Sequence, residues 1–338
     1  MGFGKLNAIA VLSGVCGVAG FAAGQSTSYH VTKVFPIGGE GIWDYLSIDS
    51  ENRRLYASHD QQVEVIDADT GKSVGVIPHT PLVHGIAVAN DLNRGFTSNG
   101  DDDSVTMFDL KALTVLKKIP VNEPNFILYE PFTHRVFPLS DKITVLDAEN
   151  GEKAGDVDLG GYPEGGVSDG WGTIYVTLAD KAAIAAVDAK TLKVTRVLPV
   201  KCIAPQNVAY DATNKRLLVG CVDGFRAIDA DSGQLVGRSL MCGGVDSGLY
   251  DPESKLAFES CSEGVLSVIR QIGPTKYVLV QSVPTQMTAK TMAFDPKTKR
   301  IYLATADTEW VPSNDPKLPG TFHPHPKPGT FRILVVEP

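Results

Sequence analysis

A phrase that returns about every 40 residues constrains the fold of this chain more than any other feature. It first occurs at 63–72 (VEVIDADTGK), and variants of it end at Leu113, Lys153, Lys193 and Gln234. Its acidic residue falls at Asp67, Asp109, Asp147, Asp188 and Asp229, in steps of 42, 38, 41 and 41 residues. A sixth copy has Arg270 at this position, and a seventh, 331–338, ends the chain. Such a period is typical of repeat architectures.

A second phrase precedes the first and completes the repeating unit. Examples are SIDSENRRLYAS at 47–58 and AYDATNKRLLVG at 209–220, which predict two strands joined by a tight polar turn. The VEVID-like phrase is a third strand, and segments such as 193–200 form a fourth. Four short strands in about 40 residues predict a β-propeller blade.

The two ends of the chain predict how the ring closes. The last repeat stops after its third strand, whereas 29–37 (YHVTKVFPI) matches the fourth strands of other repeats. Pairing the two would remove exposed sheet edges. We therefore predict an all-β fold: one seven-bladed β-propeller domain over 25–338, made of four-stranded antiparallel blades, with the N-terminal strand completing the last blade.

These motifs resemble those of a known family. The VIDADTGK-like phrase, the AFDPKTKRIYLA hairpin at 293–304 and the period near 40 are similar to the YVTN-repeat, YncE-like seven-bladed propellers of exported bacterial proteins. The resemblance covers 29–338 and implies a propeller that is exported. It implies no single activity, because the matching motifs are structural and one fold hosts many functions.

Residues 1–24 differ in kind from the rest. They contain one charge, Lys5, then an apolar and small-residue run that ends in Ala22, Ala23 and Gly24. This pattern predicts a secretory signal peptide, and hence a periplasmic or secreted protein with no membrane span in the mature chain. The alternatives are a membrane anchor, for which the run is short, and a lipoprotein at Cys16.

Export changes how the remaining cysteines are interpreted. Cys202 and Cys221 are 19 residues apart, and so are Cys242 and Cys261. Because antiparallel strands would bring each pair to the same face of its blade, we predict the disulfides Cys202–Cys221 and Cys242–Cys261. The alternative, a zinc site of four thiolates, lacks the usual two-residue ligand spacing.

Alignment of the repeats predicts a ring of polar residues at one mouth of the central channel. The residues in register are Asp44, His84, Asn125, Glu164, Gln206, Asp246 and Lys290. Crowded carboxylates raise one another's pKa unless a cation offsets them, so this ring suggests a small polar or cationic ligand, or a divalent metal. Trp43 and Tyr45 add aromatic faces that could stack on it. The structural alternatives are a wet channel without a ligand and aromatic packing between blades.

The last blade carries an insertion at 308–330 with six prolines. Proline at this density predicts an extended loop rather than helix or sheet, serving as a flap or a partner contact. Within it, His323 and His325 could chelate copper or zinc.

Two classes of function follow. The first is an exported binding scaffold, expected to be monomeric, that takes a small polar or cationic ligand or a protein partner at the channel face. The second is a metal-dependent, lactonase-like hydrolase holding a divalent ion with Asp44, Asn125, Glu164 and Asp246. Nucleic acid is a disfavoured partner, because 31 Lys and Arg against 39 Asp and Glu give a net charge of −8.

Overall fold

A computed structural model describes residues 28–312 and 321–338, and over them the chain is an all-β, seven-bladed propeller. Each blade is a sheet of four antiparallel strands, as predicted. The predicted signal peptide, 1–24, lies outside the described residues. Within the described residues, no helix is long and apolar enough to cross a membrane.

Blades one to four follow one another along the chain. Blade one is β2 (Leu46–Asp49), β3 (Arg54–His59), β4 (Gln62–Asp67) and β5 (Ser73–Pro78). Blade two is β6 (Val83–Ala89), β7 (Arg94–Asn99), β8 (Ser104–Asp109) and β9 (Val115–Pro120). Blade three is β10 (Ile127–Glu130), β11 (Arg135–Pro138), β12 (Lys142–Asp147) and β13 (Lys153–Asp158). Blade four is β14 (Pro163–Ser168), β15 (Thr173–Leu178), β16 (Ala183–Asp188) and β17 (Lys193–Pro199). Single turns of 3-10 helix occur at Asn90–Leu92 and Ala179–Lys181.

Blades five to seven complete the ring. Blade five is β18 (Pro205–Asp211), β19 (Arg216–Cys221), β20 (Gly224–Asp229) and β21 (Leu235–Ser239). Blade six is β22 (Val245–Asp251), β23 (Leu256–Cys261), β24 (Val265–Gly273) and β25 (Lys276–Pro284). Blade seven is β26 (Met292–Asp295), β27 (Arg300–Thr305), β30 (Arg332–Glu337) and the N-terminal β1 (His30–Pro36).

The predicted closure of the ring is confirmed. β1 is the outer strand of blade seven and runs antiparallel to β30, with His30 opposite Glu337 and Pro36 opposite Arg332. Tyr29 and Phe35 are buried on either side of this joint. The two ends of the described chain therefore share one sheet, and opening the ring requires breaking it.

The repeated acidic residue has a structural role in the turn between the third and fourth strands. Asp67 accepts hydrogen bonds from the backbone N–H groups of Asp69 (3.1 Å) and Thr70 (2.8 Å), and Asp109, Asp147, Asp188 and Asp229 do the same in their blades. An Asp side chain satisfies a turn backbone in this way without a helix or sheet partner. Blade six has Arg270 instead, and there β24 and β25 simply extend into a longer hairpin.

The hydrophobic core is divided among the blade interfaces. In the part of the chain that the structure describes, seven clusters of buried apolar side chains occur, and each joins one blade to the next around the ring. In one of them, Phe137 and Leu139 of blade three pack with Ile174 and Val176 of blade four. Burial of such side chains contributes roughly 1.5–3 kcal/mol each. No blade buries its faces alone, so the repeats stabilise one another.

Both predicted disulfides are present. Cys202 is bonded to Cys221 and Cys242 to Cys261, with Cα–Cα distances of 6.2 and 6.0 Å. In each case a loop leading into a blade is joined to the end of that blade's second strand. Each bond therefore fixes loop backbone close to the channel mouth.

The expectation that the proline-rich insertion avoids sheet structure is wrong. Its described parts form a hairpin of β28 (Thr308–Pro312) and β29 (Phe322–Pro326), outside the blade itself. The pairs that contain proline are Thr308–Pro326, Trp310–Pro324 and Pro312–Phe322. These are alternate pairs, and in an antiparallel ladder every second pair exchanges no N–H···O bonds. Proline at those positions removes no ladder hydrogen bond, so the hairpin tolerates it.

Candidate functional site

The seven residues predicted for the channel mouth occupy equivalent places in their blades. His84, Glu164, Gln206 and Asp246 are the second residues of first strands, and Asp44, Asn125 and Lys290 lie in the loops just before such strands. All seven side chains are half-buried. In blades two to seven, the residue before each is buried: Val83, Pro124, Pro163, Pro205, Val245 and Ala289. In blades two to seven, a buried residue thus precedes each half-buried polar side chain of the ring.

Hydroxyl groups on second strands hold these segments in place. Ser58 Oγ accepts a hydrogen bond from the Asp44 N–H (2.7 Å), and Thr177 Oγ1 accepts one from the Gly165 N–H (2.9 Å). Ser260 Oγ donates to the Lys290 carbonyl, which ties blade six to the segment leading into blade seven. The sequence analysis did not identify these residues. Several repeats carry a Ser or Thr near the end of the second strand, and this pattern could have indicated them.

Asp246 is the most highly connected of the ring residues. Its carboxylate forms an ion pair with Lys290 Nζ and lies near the Tyr45 hydroxyl. Burial raises the pKa of Asp246, and the ammonium of Lys290 opposes that rise. The pKa of Tyr45 lies well above its usual value because the ring is buried and faces Asp246, Asp44 and Glu164. Tyr45 also packs edge-on against Phe126, with ring centroids 5.0 Å apart.

Asp44 and His84 form a second pair. His84 Nδ1 lies 2.9 Å from Asp44 Oδ2, and the Tyr45 N–H donates to the His84 carbonyl at 3.1 Å. The backbone bond fixes blade one against blade two, so the imidazole and the carboxylate are held in register. Asp44 therefore has a partner that can carry a positive charge.

Glu164 differs from the other two carboxylates. It makes no ion pair within 4.0 Å among the described residues. Burial raises the pKa of Glu164, the negative charges of Asp246 and Asp44 raise it further, and Lys290 lowers it. The channel mouth thus holds a half-buried carboxylate that other carboxylates destabilise, and a bound cation would relieve that repulsion.

The remaining predicted residues lie outside this cluster. Gln206 Nε2 donates to the Ala204 carbonyl (3.1 Å), and the Asn125 Oδ1 atom is buried with no hydrogen-bond partner among the described residues. Trp43 packs against Phe331, with ring centroids 5.8 Å apart. It also lines a pocket of about 200 Å³ with Lys290, Pro324 and Pro326, next to the insertion hairpin.

The structure does not assemble the proposed metal ligands into one group. Among the His, Cys, Asp and Glu side chains of the described residues, the only trio of donor atoms within 4.8 Å of one another is Cys202, Cys221 and Asp223. Those two cysteines are oxidised to a disulfide and offer no thiolate. Asp44 and Asp246 have His84 and Lys290 as neighbours instead.

A cavity of about 520 Å³ continues down the channel from Tyr45 and Asp246. Asn207 lines it, and the Asn207 amide donates to Glu259 Oε2 (3.0 Å), a carboxyl that is only 1% exposed. Burial raises the pKa of Glu259 to about 8. Sequence reasoning missed this group. The signal was the charged Glu259 in the strand LAFESC, two residues before its cysteine, where the preceding blade has Val219.

Apolar side chains surround part of the polar mouth. We call the side of the disc that carries the loops between blades and the loops between second and third strands the upper face. Exposed large apolar residues on its loops and on the insertion hairpin are Ile42, Tyr162, Ile203, Val222, Leu240, Met287, Trp310 and Phe322. They belong to blades four to seven and to the loop before blade one. Met287 and Trp310 line one pocket on this face, and Ile42 lines another beside the insertion hairpin.

The comparisons with known proteins support the fold. No protein-family model matches the chain, and no curated protein matches it. Solved structures do match. Hydrazine synthase of Kuenenia stuttgartiensis is 17% identical, with a TM-score of 0.67 over 79% of this chain and 93% of that chain. The mitotic checkpoint complex contains a chain that is 15% identical, with a TM-score of 0.71 over 88% and 93%. The WD40 repeats of RRP9 are 8% identical, with a TM-score of 0.77 over 92% and 100%. At these identities the similarity shows the seven-bladed propeller and nothing finer.

Proposed function

We propose that this protein is an exported propeller of the YncE-like kind that binds a cationic group at the upper mouth of its channel. Glu164 carries this proposal. It is a half-buried carboxylate without an ion-pair partner among the described residues, and it faces two further carboxylates. A ligand ammonium would offset this concentration of negative charge, because a nearby opposite charge favours the ionised carboxylates. Two disulfides support an oxidising compartment, as export would require.

The experiment compares a cation with its neutral isostere. We expect 1,4-diaminobutane to bind in isothermal titration calorimetry and 1,4-butanediol, which has the same shape without the charges, not to bind. Glu164→Gln should weaken diamine binding by about tenfold, because one charge-assisted contact is lost. Glu263→Gln is the matched control, since Glu263 is an exposed carboxylate on the same face outside the ring. Equal binding of the diol, or an unaffected Glu164→Gln variant, would refute the proposal.

A protein segment is the ligand source that the surroundings favour. The acidic mouth is bordered by the exposed apolar residues of the upper face, and a protein segment could present both a basic and an apolar side chain. The channel face would then act as a docking platform for a basic segment.

The alternative function is a divalent-metal hydrolase of the lactonase type. The same carboxylates favour it, but Lys290 and His84 would have to give way to the ion at Asp246 and Asp44. Metal analysis of the purified protein decides between the two. Stoichiometric metal that is lost in both Glu164→Ala and Asp246→Ala would favour the hydrolase and overturn the cation-binding proposal.

A further inference from the structure

The insertion hairpin has two chemically different faces. Thr308, Trp310, Pro324 and Pro326 line pockets against the disc. Because side chains alternate along a strand, the residues between them project from the opposite face. By this alternation His323 and His325 lie together on the face that points away from the disc, and both are exposed.

The register of the hairpin adds a third donor to this face. Glu309 lies directly opposite His325, and it is exposed. Side chains two apart on a strand are separated by about 7 Å at Cβ, and directly opposite ones by about 5 Å. Two imidazoles and one carboxylate thus share one small area of surface. Sequence spacing alone could not show this, because Glu309 precedes His325 by 16 residues.

These three side chains are free to bind. Among the described residues, none of them takes part in a hydrogen bond or an ion pair, unlike His84 beside Asp44 or His134 between Asp91 and Glu149. Pro324 and Pro326 flank the histidines, and proline fixes φ near −65°. The backbone that carries the imidazoles is therefore stiffer than an ordinary surface loop, which lowers the entropic cost of chelation.

We propose that His323, His325 and Glu309 form a surface site for a divalent transition metal, with Cu²⁺ bound most tightly. Imidazole nitrogen suits copper, nickel and zinc, and at a site of given donors Cu²⁺ binds more tightly than Zn²⁺. The donor atoms of the three side chains do not lie within 4.8 Å of one another in the structure. Exposed side chains change rotamer on the picosecond to nanosecond timescale, so the ion can gather them. The site lies on the hairpin and is independent of the channel proposal.

Titration of the untagged protein with CuCl₂ tests the site. We expect one tight Cu²⁺ per chain by calorimetry, with an electron paramagnetic resonance spectrum showing nitrogen coupling from two imidazoles. His323→Ala and His325→Ala should each weaken binding by at least about tenfold, since loss of even an outer-shell partner of a metal ligand has that effect. Glu309→Gln should weaken it less, and ZnCl₂ should bind more weakly than CuCl₂. Unchanged Cu²⁺ affinity in the double variant His323→Ala/His325→Ala would overturn the proposal.

Two controls test whether Cu²⁺ binding depends on the positions of the two histidines and not only on the number of histidines. His134→Ala removes an exposed histidine that already sits beside two carboxylates, and it should leave Cu²⁺ binding unchanged. Combining His325→Ala with Pro326→His keeps two histidines in the hairpin but places them on opposite faces. This variant should bind no better than His325→Ala alone. Wild-type affinity in the relocated variant, or loss of binding in His134→Ala, would contradict the assigned site. Thermal unfolding without metal verifies that every variant is folded.

Discussion

The buried carboxyl of Glu259 lies between two glycines and hydrogen bonds with the Asn207 amide. Its carboxyl is enclosed beside Gly220 and Gly248, where a Cβ would come within 2.5 Å and 2.0 Å of Asn207 atoms. The two glycines therefore create the space for the Asn207–Glu259 pair. Sequence alone could not predict this arrangement, because the carboxyl, its amide partner and the two glycines come from four strands of two blades. The Asp of the repeated turn was predictable because its partners are two and three residues away.

Glu259 also makes stability depend on pH. Its pKa rises from the ordinary value of 4.5 in the unfolded chain to about 8 in the folded protein, so folding favours the protonated acid. Its contribution is fully present below about pH 4.5 and is lost as the pH rises through about 8. Glu259→Gln, which keeps an acceptor for the Asn207 amide, should remove this dependence. We expect wild type to lose on the order of 3 kcal/mol relative to the variant between pH 5 and 8.

Urea unfolding of the oxidised protein at several pH values measures this difference. Glu263→Gln is the control, since it changes the same residue type at an exposed position. Parallel pH profiles for wild type and Glu259→Gln would show that the Glu259 carboxyl is not the responsible group.

Among the strands and loops, the elements that local turns define were predicted correctly, and the insertion hairpin was not. The strand order within blades one to six followed from local turns, which a sequence displays directly. The insertion hairpin was mispredicted because the number of prolines was considered without their spacing. Pro324 and Pro326 are two residues apart and pair with Trp310 and Thr308, so both occupy the non-hydrogen-bonded pairs of the ladder.

The disulfides stabilise the loops that lead into blades five and six. Each spans 19 residues, and in the chain-entropy account a loop of this size contributes about 3 kcal/mol. We expect Cys202→Ser/Cys221→Ser and Cys242→Ser/Cys261→Ser each to lower the free energy of unfolding by roughly that amount. Chemical denaturation of each double variant under non-reducing conditions checks the value. A change below about 0.5 kcal/mol would mean that the loops are already ordered by their other contacts.

At the scale of the whole molecule, the fold was predictable and the ligand was not. The repeat gave the number of blades, and the incomplete ends gave the closure by β1. The ring of polar residues at the mouth also followed from the repeat alignment, but the pairs within it did not. Whether Lys290 reaches Asp246 or Glu164 depends on distances across the channel, and these are set by the packing of all seven blades.

Closure predicts that the order of the chain can be changed without changing the fold. A circular permutant that joins residue 338 to residue 28 through a short linker, with new termini in the turn at Glu149–Asn150, should unfold within a few degrees of wild type. Deletion of β1 should instead expose the edge of β30 and lower the melting temperature by more than 10 °C or cause aggregation, because Phe35 leaves the core. Thermal denaturation and size-exclusion chromatography distinguish these outcomes. A β1 deletion that stays monomeric with an unchanged melting temperature would contradict the closure.

The hairpin β28–β29 grows out of the connection between β27 and β30 without altering their pairing, in which Ile301 lies opposite Val336 and Thr305 opposite Arg332. The other six blades have short turns at the equivalent place. These turns, between the second and third strands of blades one to six, are therefore positions where longer loops can be inserted. Such loops would surround the acidic channel mouth, and the contacts between blades would keep the fold unchanged.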